Sequence, residues 1–177
     1  IFIFSKVYYM PEIIQTVELE KVLTFLNEIG IQVVEKELDD TAFLPGLALG
    51  PNCIYIDYTK LLYPGDILHE AGHLAVATAE TRSQIGSEAL QNWPTDGEEI
   101  TAILWSFAAL THLELPLDFV FHPNGYKNGA DWLIESFSNK NYVGLPLLEW
   151  MGLTLSDEKA RLQNKKPFPH MLKWMRE

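Results

Sequence analysis

Apolar positions along the chain fall into short blocks whose spacing switches between the helical and the strand period. Across residues 16–29, Val17, Val22, Leu23, Phe25, Leu26 and Ile29 form a helical stripe, and Gly30 is a natural stop. Residues 31–36 (Ile-Gln-Val-Val-Glu-Lys) predict a strand. Residues 47–49 and 53–57 predict two more, joined as a hairpin through the turn chemistry of Gly50-Pro51-Asn52. Pro64-Gly65-Asp66 breaks the chain, and Asp66 is the expected N-cap of a helix over residues 67–80. Its apolar positions (Ile67, Leu68, Ala71, Leu74, Ala75, Val76, Ala77) wrap most of the way round, which marks a buried helix.

A polar connection is expected over residues 81–94. Thr95 or Asp96 then caps a long helix over 98–113, which Pro116 ends. An apolar run, Phe119 to Phe121, leads into a loop rich in Gly, Pro and Asn at 122–129. Shorter helices are expected at 130–138, 147–151 and 156–161. No internal repeat and no long linker divides the chain. The pattern describes one α+β domain over 1–177, with a small twisted sheet packed on central helices. The apolar residues 1–9 read as an appended segment or the remnant of a longer chain, and carry no functional weight.

Composition narrows the function classes. With 47% hydrophobic and 21% charged residues, the 177-residue chain can bury a core of ordinary size. The net charge of -11 disfavours nucleic acid and anionic membranes as general partners. No apolar run approaches the ~18 residues of a membrane span. Cys53 is the sole cysteine, so an internal disulfide is excluded and a reducing, cytoplasmic setting is expected. Its apolar neighbours predict a buried, inert thiol.

Chemistry concentrates in His69-Glu70-Ala71-Gly72-His73. On a helix, positions i and i+4 share one face, so His69 and His73 can bind one metal ion. Glu70 is rotated off that line yet stays close enough to act as a base. Two core histidines and an exposed glutamate would be the blander reading, but burying such groups without purpose is costly.

This stretch, with strands before it and an acidic-headed helix after it, resembles the zincin metallopeptidases of the glutamate-ligand type. The resemblance implies a zincin-like fold and a zinc cofactor. It also implies hydrolysis of a peptide or protein substrate, in which Glu70 activates a zinc-bound water. It makes the strand at 53–57, or its neighbour, the one that would pair with an extended substrate. The third ligand is expected at the head of the next helix, from Glu99, with Glu98 as the alternative. A first-turn acidic residue also has an ordinary explanation in the helix dipole. The local sequence is similar, too, to the peptidase segment of membrane-tethered ATP-driven proteases, where Asp118 or Asp131 would be the ligand.

For a developing oxyanion, His112, His122 and Tyr126 are candidate donors, the last two in the Gly/Pro/Asn loop. Arg82 is a candidate for a substrate carboxylate, or simply a charge at a helix end. The five tryptophans and the basic, aromatic tail at 165–174 read as core and packed terminus. A zinc-containing regulatory module and hydrolysis of a non-peptide amide remain alternatives to the peptidase.

Overall fold

A computed structural model of the chain describes residues 16–90 and 92–177. The apolar residues 1–9 lie outside the described residues. Helix α1 (Val17–Glu28) starts where Thr16 accepts a hydrogen bond from the Leu19 amide, and it buries Leu19, Val22, Phe25 and Leu26. Strands β1 (Gln32–Glu35), β2 (Leu47–Gly50) and β3 (Cys53–Ile56) form one mixed sheet in the order β1-β3-β2. β1 runs parallel to β3, Gln32 opposite Cys53, and β2 pairs with it antiparallel, Leu47 opposite Ile56. The expected hairpin is present: Asn52, with φ of 57°, adopts the left-handed turn conformation that asparagine tolerates. Ile54 and Ile56 of the central strand are fully buried, and Cys53 is buried.

The sheet and α1 cover a pair of central helices, α2 (Asp66–Val76) and α4 (Asp96–His112). The fold class is α+β, as the pattern of periods implies. One contiguous hydrophobic core runs from α1 through both central helices to the tail. α2 and α4 cross at Gly72: a Cβ there would stand 2.6 Å from the Ala102 carbonyl oxygen. The glycine of the histidine motif is thus required by helix packing. Smaller helices follow: α5 (Leu117–Val120), α6 (Ala130–Ser138), α7 (Leu145–Trp150) and α8 (Asp157–Leu162). Among the described residues no helix is long and apolar enough to cross a membrane.

Two local expectations are corrected. The helix expected over 67–80 stops at Val76, because Ala77 is extended and Thr78 caps a separate helix α3 (Ala79–Gln84) by accepting from the Thr81 amide. Apolar periodicity runs through Ala77, so the break was visible only as the cap signal at Thr78. Nor is Asp66 the N-cap of α2. Gly65 occupies that position, and a Cβ there would collide with the Phe119 carbonyl. Asp66 is the first helical residue, and its carboxylate turns to His122 instead.

Candidate metal centre

The crossing of α2 and α4 sets the head of α4 against the histidine face of α2. The Nε2 atoms of His69 and His73 lie 3.2 Å apart. Glu99 sets one carboxylate oxygen 3.5 Å from His69 Nε2 and the other 3.3 Å from His73 Nε2. These three residues form the group that can hold a metal ion, one donor atom from each within 4.8 Å of the others. Neighbouring ligand atoms of a tetrahedral zinc ion, with bonds of about 2.0–2.1 Å, stand roughly 3.3–3.4 Å apart. The observed separations match that spacing, and the donor set of two imidazoles and a carboxylate suits zinc.

Local chemistry decides between the two glutamates. Thr95 and Glu98 form a capping box: Thr95 accepts from the Glu98 amide while the Glu98 carboxylate accepts from the Thr95 amide and hydroxyl. That engages Glu98 at the helix start. One residue on, Glu99 is rotated towards the histidines. Asp118 and Asp131 are exposed in the first turns of α5 and α6, outside the group.

The electrostatics favour ligation. Burial pulls His69 down to about 4, with the His73 charge adding to it, so His69 is neutral and can donate a lone pair. The contact with His73 lowers the Glu99 carboxyl despite partial burial, so it is anionic. Glu70 is walled by protein but keeps part of its surface accessible. Burial pushes its carboxyl up to about 7, against the opposing pull of His73. A carboxyl poised there can take or give a proton near neutral pH.

Tyr126 lies edge-on to His69, with ring centroids 5.5 Å apart. Its hydroxyl is buried without a hydrogen-bond partner. Burial, reinforced by the nearby carboxylates of Asp66, Glu99 and Glu70, raises its pKa well above the usual value and outweighs the opposing pull of the neighbouring Ser106 side chain, so it keeps its proton. Tyr126, Lys127 and Asn128 all have positive φ (54°, 51° and 67°), a run that non-glycine residues adopt at a cost. What holds this loop is His122. Its Nε2 is 3.0 Å from Asp66 Oδ1, its ring stacks 3.9 Å from that of Tyr63, and Asn124 donates to the Tyr63 hydroxyl at 2.8 Å. The ring nitrogen that faces a partner is therefore committed to Asp66.

The remaining candidates lie apart from the group. His112 ends α4, about 20 Å along the helix from Glu99 at ~1.5 Å per residue, and packs on Phe25 and Trp174. Arg82 donates to the carbonyls of Leu74, Ala77 and Arg176, so it caps the end of α2 rather than facing the histidines. β3 has both edges paired, which leaves its neighbour β2 as the edge strand of the two. The sequence reading overlooked Trp93, whose ring stands edge-on to His73 at 5.7 Å. Its only signal was its place in the polar connection just ahead of the α4 cap. No family model matches this chain, and no curated protein or solved structure matches it either.

Proposed function

We propose that this chain is a zinc-dependent hydrolase of amide bonds, acting on a peptide or protein substrate, with His69, His73 and Glu99 as the ligands. One observation carries the reading: the donor atoms of His69, His73 and Glu99 converge within 4.8 Å of one another, with the walled-in Glu70 carboxyl between the two histidines in sequence. The Nε2 atoms of both rings already face each other and the Glu99 carboxylate, so the three donors point to one place.

A zinc ion held there supplies Lewis acidity at the scissile carbonyl. Glu70, walled in next to His69 in the chain, would take the proton of the attacking water and return it to the leaving nitrogen. Tyr126 keeps its proton and donates to the carbonyl oxygen as negative charge builds there. Asp66 and His122 hold the loop that presents Tyr126. The edge strand β2 favours an extended peptide, which can add main-chain hydrogen bonds to a sheet edge. The lone, buried Cys53 fits a reducing compartment such as the cytoplasm.

The test is metal analysis of the purified protein and of Glu70→Gln, His73→Ala and Glu99→Ala, followed by digestion of a mixed peptide pool. The expected result is about one zinc per chain in wild type and Glu70→Gln, little in the other two, and cleavage by wild type alone. Wild-type protein that takes up no zinc on reconstitution overturns the reading. Zinc without cleavage of any peptide removes the peptidase and leaves a zinc-containing binding module.

A further inference from the structure

Five buried side-chain polar atoms among the described residues lack a hydrogen-bond partner: Nδ1 of His69, His73 and His122, the Tyr126 hydroxyl, and Nε1 of Trp93. A fold normally leaves few such atoms, and each calls for an explanation. Two belong to the proposed ligands, and two to the loop that presents Tyr126. Trp93 belongs to neither the ligands nor the loop.

The other tryptophans sharpen the contrast. Trp105 donates its indole N–H to the Trp174 carbonyl at 3.0 Å, so that group is satisfied within the core. Trp132 and Trp150 are exposed, and water can serve them. Trp93 keeps its N–H buried beside His73. An indole N–H is a donor only; it has no tautomer and no rotor that could relieve it. The fold itself supplies no acceptor for this N–H.

Resting on the functional reading above, we infer that Trp93 is a further catalytic residue: its indole N–H is a second donor to the substrate's carbonyl oxygen, complementing Tyr126. Tyr126 flanks His69 and Trp93 flanks His73, so each proposed imidazole ligand has one free donor beside it. Two donors suit a ligand oxygen that gains negative charge, as in an amide under attack, a hydroxamate or a carboxylate. They do not suit a cationic or purely apolar ligand.

The test replaces Trp93 with 3-benzothienylalanine, which keeps the ring shape and removes only the N–H, alongside Trp93→Phe. Three quantities are read: zinc content, affinity of the zinc-loaded protein for acetohydroxamic acid by calorimetry, and the urea midpoint of the metal-free protein. Expected are unchanged zinc, hydroxamate binding weaker by about tenfold, and a urea midpoint at or above that of wild type for the benzothienyl form. Hydroxamate affinity within about twofold of wild type overturns the inference. So does a lower urea midpoint for the benzothienyl form, which would mean that the N–H is engaged within the fold. Loss of zinc would make Trp93 a support for His73 instead and also overturns it. Wild-type protein that binds no zinc is a different failure, that of the functional reading itself.

Discussion

At the C-terminal end of α2 each carbonyl from His73 to Ala77 has a donor. Ala77 N serves His73, Arg82 serves Leu74 and Ala77, and Arg176 serves Ala75 through its amide and Val76 through its guanidinium. The tail is drawn in as well, since Arg82 also donates to the Arg176 carbonyl at 2.6 Å. One turn back along the same helix, His69 and His73 keep buried Nδ1 atoms without partners, beside the unpaired Trp93 N–H and Tyr126 hydroxyl. A helix end that only has to hold its place is saturated, and two cations oppose the negative pole of its dipole. The stretch that carries the converging donor atoms is also the one with unmatched polar atoms.

The largest effect should come from the joint between these two regions. Gly72→Val forces a Cβ against the Ala102 backbone, which cannot move aside as a side-chain tip can. We expect a loss of about 3 kcal/mol or more in urea unfolding, outweighing the roughly 1 kcal/mol that leaving glycine gains a helix. Unchanged stability would mean that α2 and α4 do not cross at this point.

Arg82→Met tests the saturated end. Three carbonyls lose a donor while the apolar stem is kept, and partial access of water softens the cost to about 2–3 kcal/mol. Zinc affinity measured on the folded protein should change little, because Arg82 donates to backbone carbonyls and to none of the three ligand side chains. A large fall in zinc affinity at full folding would show that the two regions are coupled.

A smaller, pH-dependent effect is expected at Glu70. A carboxyl raised in the folded state from its ordinary 4.5 to about 7 stabilises the protein while it is protonated. That contribution is fully present below about 4.5 and fades as pH rises towards 7. His69, lowered to about 4 from 6.5, works in the opposite sense, so the difference between variants is the useful quantity. In metal-free protein, the stability of Glu70→Gln relative to wild type should rise between pH 4.5 and 7, by on the order of 1–2 kcal/mol given that carboxyl's partial access to water. A flat difference would place Glu70 in solvent.

Much of the frame was legible in the chain because its signals are local. Thr16, Thr95 and the Pro51-Asn52 turn act within a few residues, and the elements they bound fall where periodicity puts them. The choice of Glu99 over Glu98 was half legible: the helix start needed one acidic residue, and the Thr95–Glu98 box took it. The role of Asp66 was misread because its cap-like position is local, while its partner His122 is 56 residues away. Trp93 was passed over because an aromatic in a polar connection looks like ordinary packing until its N–H is seen to lack an acceptor.

By itself, the sequence determined the strands and most of the helices through their two periods, and the i, i+4 spacing set the shared face of His69 and His73 with Glu70 beside them. Only the tertiary structure decided that Glu99 meets both histidines, that Glu70 is walled in and raised towards 7, and that Arg82 caps a helix. Those depend on how closely α2 and α4 cross, and on where a loop and a tail return. These are contacts between residues far apart in the chain, which hydrophobic periodicity does not encode.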